Sequence, residues 1–128
     1  MPLKLSLSKG EKLIVNGAVI KNDGTDASLV FENQAHILRQ KDILTMEDAT
    51  TPASRVYLAL QCAYMFPENA SRHLDDFRQL ASEFASAAPS SVKIVETMFD
   101  HADQGQLYNA LKACRELIDY EAGVLADA

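Results

Sequence analysis

The apolar positions change period once along this chain. Up to residue 38 they alternate or come in short blocks; beyond residue 52 they recur every three or four residues. Leu3, Leu5 and Leu7 alternate with Lys4 and Ser6, the pattern of a half-buried strand. Ser8-Lys9-Gly10 turns the chain into the run Leu13-Ile14-Val15. Asn16-Gly17 then separates that run from Ala18-Val19-Ile20. Asn-Gly between two apolar runs predicts a tight hairpin, because both residues tolerate the positive φ that the turn needs. Asn22 to Asp26 is a second turn, rich in side chains that bond their own backbone. Ser28 to Phe31 is a third apolar run, Glu32-Asn33-Gln34 turns again, and Ala35 to Leu38 is the last strand candidate. Short strands about ten residues apart predict a small antiparallel barrel or sandwich.

Thr51-Pro52 reads as an N-cap followed by proline at the first helical position, where its missing N–H costs nothing. The helix it opens runs to about Met65, with Val56, Leu60 and Tyr64 on one stripe widened by Tyr57 and Cys62. Phe66-Pro67 ends it. Residues 69–87 form a second helix, with Leu74, Phe77, Leu80, Ala81, Phe84 and Ala85 at core spacing. A third, over about 91–102, carries Val92, Val95, Met98 and Phe99. The last, over about 106–122, carries Leu107, Ala110, Leu111, Cys114, Leu117 and Ile118, and the tail after Gly123 is expected to fray. The fold class is therefore α+β: residues 1–50 a small antiparallel β-barrel or sandwich, residues 51–128 a three- to four-helix bundle. Each helix has a single apolar stripe, so the helices are expected to pack on one another and on the strands as one compact unit.

Composition narrows the class further. Apolar content of 48% and charged content of 23% are ordinary for a globular protein. No apolar run is long enough for a membrane span, and the N-terminus lacks the continuous apolar core of a secretion signal, so the chain is expected in the cytoplasm without a membrane partner. The net charge of −6 is unevenly placed: residues 1–55 carry seven basic and seven acidic side chains, and residues 56–128 carry five and eleven. That balance disfavours general attraction to phosphates and leaves only a local patch in the N-terminal half for nucleic acid.

Catalytic chemistry finds no support. The glycines are isolated turn residues and form no phosphate loop. Asp75-Asp76 and Asp100-His101 are neighbours on helices, where adjacent side chains diverge. Cys62 and Cys114 sit among apolar residues, and the histidines are scattered, which argues for buried thiols and against a metal site. No enzyme, cofactor or metal is expected.

The densest basic and polar run of the N-terminal half is Arg39-Gln40-Lys41-Asp42. Alternation puts Arg39 and Lys41 on one strand face and Gln40 on the other, where two cations could meet phosphates or bases. The plainer reading is a strand edge blunted by charge. Arg55 and Tyr57 lie two residues apart beside the polar connector, at the start of the first helix. Together they could hold a base or a peptide, or Tyr57 could belong to the helix core.

MPLKLSLSKGEKLIVNGAVI, ILRQKDILT, TTPASRVYLALQ and KACRELIDYE resemble, in order and spacing and over nearly the whole chain, the FlbT flagellar biosynthesis repressor family. The resemblance implies post-transcriptional repression of flagellin synthesis through the 5′ untranslated leader of flagellin mRNA. It also implies the flagellin regulator FlaF as a companion. The first 43 residues are in addition similar in layout to the carbon storage regulator family of dimeric translational repressors. LKLSLSKGEKLIV matches that family's opening and HILRQKDI its closing strand, whose message-contacting arginine falls on Arg39. This similarity implies an RNA contact at Arg39 and a homo-oligomer through the N-terminal strands. Lys4, Lys9 and Lys41 are expected around it as phosphate contacts, and Gln40, beside them, and Arg55, through its pairing with Tyr57, complete the expected RNA-binding set. The sequence departs at the end of the first strand, where Leu7-Ser8 stands in place of that family's two arginines.

Two functions follow as expectations. One is a repressor that binds the flagellin leader. The other is a protein-interaction module, with Tyr57 among its contacts, whose acidic helices bind flagellin or FlaF and affect the message indirectly.

Overall fold

The computed structural model describes residues 3–126, and the chain divides into two compact units, residues 1–43 and 44–128. The first holds five strands: β1 Leu3–Leu7, β2 Lys12–Val15, β3 Ala18–Lys21, β4 Ala27–Phe31 and β5 Ile37–Arg39. They form two antiparallel sheets, one of β1 and β4 and one in the order β3-β2-β5. The strands do not close into a barrel. Of the two expected forms, the layered one is what these residues build.

Register explains the layers. Leu3, Leu5 and Leu7 stand opposite Phe31, Leu29 and Ala27, while Lys4 and Ser6 stand opposite Val30 and Ser28 on the other face. Leu13 and Val15 share a face with Ile37, two positions along β5 from Arg39. The apolar faces meet in one cluster of Leu5, Leu7, Leu13, Val15, Leu29, Phe31 and Ile37. The β2–β3 hairpin turns at Asn16 (φ 51°) and Gly17 (φ 86°), the pair of positive angles that a type I′ turn requires. Asn16 also accepts the His36 N–H on its side-chain oxygen at 2.9 Å and donates its own N–H to the His36 carbonyl at 2.8 Å, which seats β5 beside β2.

The second unit holds four helices: α1 Pro52–Met65, α2 Ala70–Ala87, α3 Val92–Asp103 and α4 Leu107–Ala126. Thr51 caps α1 in a capping box with Ser54, and Pro52 occupies the first turn. Pro67 and Pro89 open the single 3₁₀ turns that lead into α2 and α3. Phe77 is fully buried and meets Phe99 edge-on at 5.5 Å, joining α2 to α3. Met98, Leu111, Cys114 and Leu117 close the core between α3 and α4, each large side chain contributing about 1.5–3 kcal/mol by leaving water. The helix expected to end before Gly123 continues through it to Ala126. A glycine inside a helix weakens it by about 1 kcal/mol without breaking it. Asp127 and Ala128 lie outside the described residues.

The second unit takes in the connector from Leu44 onward. Gln61 of α1, buried, accepts the Leu44 N–H at 2.8 Å and donates to the Leu44 carbonyl at 2.9 Å. The connector is thereby held to the helices from its first residue. No helix among the described residues is long and apolar enough to cross a membrane.

Candidate nucleic-acid interface

The end of β5 decides where the basic run points. The strand stops at Arg39, and Gln40–Asp42 winds into a 3₁₀ turn, so strand alternation no longer governs Gln40 and Lys41. Asp42 turns inward and is buried. Gln40 extends the β2–β5 ladder by side chain, its Oε1 accepting the Lys12 N–H at 2.7 Å. Lys41 is left beside the turn that follows β1. Ser8, Lys9, Gly10, Glu11, Gln40 and Lys41 line one open groove of about 640 Å³.

The β1–β2 turn that forms the other wall is closely bonded. The Glu11 N–H meets the Ser8 carbonyl at 3.0 Å, and the Glu11 carboxylate accepts the Ser8 N–H at 2.8 Å. Gly10, at φ 79°, donates to the Asn22 carbonyl at 2.6 Å. Asn22 donates from its side chain to the carbonyls of Leu7 (2.8 Å) and Thr25 (2.9 Å). Asp26 accepts the Lys9 N–H at 2.9 Å. Lys9 is thus carried on a stiff turn, although the carboxylates of Glu11 and Asp26 temper the field around its ammonium group. Sequence reasoning treated Asn22 and Asp26 as turn residues only and gave Glu11 no part in the turn. The signal at Asn22 and Asp26 was their short oxygen-bearing side chains, which bond nearby backbone groups.

The expected RNA contacts separate into groups. Lys9, Gln40 and Lys41 come together in the groove. Lys4 does not join them, because it stands opposite Val30 on the outer face of β1–β4. Arg39 is only partly exposed, and its guanidinium donates to the Ser6 carbonyl at 3.3 Å, tying β5 to β1. Arg55 lies in the helical unit. There it borders a depression of about 310 Å³ between the first turn of α1 and the last turns of α2, with Pro52, Leu80, Glu83 and Phe84. Tyr57, expected as a partner contact or as part of the helix core, is 4% exposed and lies on the buried stripe of α1. It therefore forms no open platform beside Arg55.

Charge follows the division. Residues 1–43 carry six basic and five acidic side chains, and residues 44–128 carry six and thirteen. A phosphate backbone would meet repulsion along the helices and near-neutral ground at the strands.

A family model described as flagellar protein FlbT matches residues 3–125. A probable flagellum biosynthesis repressor protein FlbT of Caulobacter sp. (strain K31) is 39% identical over 123 residues, covering 94% of each chain. The corresponding protein 1 of Bradyrhizobium diazoefficiens is 42% identical over 94% of this chain and 83% of its own. The flagellum biosynthesis repressor protein FlbT of Caulobacter vibrioides (strain ATCC 19089) is 36% identical over 94% of this chain and 87% of its own. No solved structure matches. Family match and relatives alike span both units, and the chain belongs to the FlbT family of flagellar proteins.

Proposed function

We propose that this protein represses flagellin synthesis after transcription, acting in the cytoplasm by binding the 5′ untranslated leader of flagellin mRNA through the Lys9–Lys41 groove. Its relatives carry the name of flagellum biosynthesis repressors, which supports the biological direction. The observation that carries the molecular reading is the groove itself, where two lysines and an amide from separate strand ends line one open surface. Lys9 and Lys41 contact phosphates, and Gln40 lies within reach of a base edge. Such contacts fix the position of the strand more than its sequence. An occupied leader blocks ribosome loading or is left to nucleases, and no covalent chemistry is required of the repressor.

The test is fluorescence anisotropy of a flagellin leader RNA with the purified full chain across a salt series. The wild type is expected to bind, and Lys9→Ala/Lys41→Ala to bind weaker by on the order of 1–2 kcal/mol. The slope of log affinity against log salt should fall by about 1.4, the amount for two phosphate contacts on a single strand. Absence of binding at low salt by a folded protein would overturn this reading.

A second reading has its own support. The depression between α1 and α2 is floored by Leu80 and Phe84 and rimmed by Arg55 and Glu83. It suits an apolar side chain from a protein partner. Flagellin or FlaF would then be the ligand, and the effect on the message indirect. Isothermal titration of the full chain with each protein, repeated with Leu80→Asp, separates this reading from the first.

A further inference from the structure

Strand β3 is an edge strand that carries few of the usual guards against pairing. It ends the order β3-β2-β5, all four of its residues are exposed, and Val19 and Ile20 are 65% and 42% open to solvent. It contains no proline and no bulge, and its one charge, Lys21, stands at its end. Edges of this kind invite another strand. By contrast Val30, also exposed, lies on a face shared with Lys4, Ser6 and Ser28.

The hairpin fixes which backbone groups are on offer. Val15 pairs with Ala18 across the two-residue turn, and Asn22 donates its N–H to Glu11 at 3.0 Å. Inward bonding therefore falls on Ala18, Ile20 and Asn22, and the N–H and C=O of Val19 and Lys21 point out of the sheet. Both residues able to pair are two apart, on either side of Ile20.

We infer that a second copy of this chain pairs with β3 in antiparallel fashion about a two-fold axis at Ile20. This register sets Val19 against Lys21 of the second copy, and Lys21 against its Val19. It uses every outward group of the strand in four backbone hydrogen bonds. Ile20 meets its own counterpart in a non-hydrogen-bonded pair, where side chains approach closest. Ala18 falls opposite Asn22. No charge faces a like charge, and the aliphatic stem of each lysine lies along an exposed valine. Shifting the axis to Val19 would set Lys21 against Gly17, inside the turn, and would lose bonds. An isologous dimer with one continuous six-stranded sheet results, and it carries two copies of the Lys9–Lys41 groove. The inference does not depend on RNA binding.

Sedimentation velocity of the full chain without RNA is expected to show twice the chain mass at micromolar concentrations. Val19→Pro removes one outward N–H while leaving the inward ladder whole, as edge prolines do. It should give a monomer with unchanged helical circular dichroism. Ile20→Cys should form an intermolecular disulfide under mild oxidant, since opposed Cα atoms of such a pair lie about 4.5 Å apart. Wild type carrying only Cys62 and Cys114 should not. The cross-link decides the matter if Val19→Pro fails to fold. A wild type that stays monomeric at about 100 times the RNA-binding test concentration overturns the inference. So does a dimer that survives Val19→Pro and gives no Ile20→Cys cross-link.

Discussion

The carboxylate of Glu121, on α4, accepts the backbone N–H of Ala53, in the first turn of α1, at 2.9 Å. Sixty-eight positions separate the two residues. The first N–H groups of a helix have no partner within it, and a negative charge there is favoured by the helix dipole. Glu121 is 9% exposed, so the bond is sheltered from water. Removing it leaves a buried donor with nothing to meet. Glu121→Ala is expected to cost about 1–3 kcal/mol and Glu121→Gln less, since the amide oxygen can still accept. Urea unfolding followed by circular dichroism measures both.

Gln61 does for the connector what Glu121 does for the helix start. Its two bonds to Leu44 occupy both ends of one side-chain amide. Gln61→Ala is expected to destabilise the helical unit by about 1–2 kcal/mol. It should also speed limited proteolysis between Leu44 and Thr50 well before the helices are cut. Cleavage at wild-type rate would show that the connector is held by something else.

Arg39 and Lys41 are neighbours in sequence with different work. The Arg39 guanidinium is engaged by the Ser6 carbonyl, and Lys41 lines the groove. Arg39→Ala is expected to lower stability by about 1 kcal/mol, the worth of a charge-assisted bond partly open to water. In the anisotropy experiment it should leave the salt slope unchanged, whereas Lys41→Ala should lower the slope by about 0.7. Equal slopes for the two variants would restore Arg39 as a phosphate contact.

The sequence made the elements legible because period and punctuation agreed. Alternating leucines marked β1, Asn16-Gly17 marked the hairpin, and Thr51-Pro52 marked the start of α1. Less legible were features set by single side chains reaching across the chain. The barrel-or-sandwich ambiguity turned on which strands pair, and alternation does not encode partners. The end of β5 at Arg39 redirected Gln40 and Lys41, and no residue in the run Arg39-Gln40-Lys41-Asp42 is a turn former strong enough to announce it. The hold on the connector at Leu44 rests on one glutamine in an apolar stripe. Tyr57 was open to two readings, and only its burial chose between them.

Cys114 sets a limit at high pH. The thiol is fully buried, and burial pushes its pKa up from 9.0 to about 12, because a thiolate there would lose its hydration. In the unfolded chain the same thiol ionises near its ordinary value. Below pH 9 both states hold the proton, and the group contributes no pH dependence. Between pH 9 and 12 the unfolded state has released it and the folded state has not. Stability therefore falls as pH rises through that window, by up to about 1.4 kcal/mol per pH unit from this one group. The comparison that isolates this one group is with Cys114→Ala. That variant should be less stable at pH 8 through the lost contacts, yet should lose stability more slowly between pH 9 and 10.5. Urea unfolding at a series of pH values gives both slopes. Parallel slopes would mean that the thiol ionises inside the fold, and rapid modification of the native protein by a thiol reagent would then accompany them.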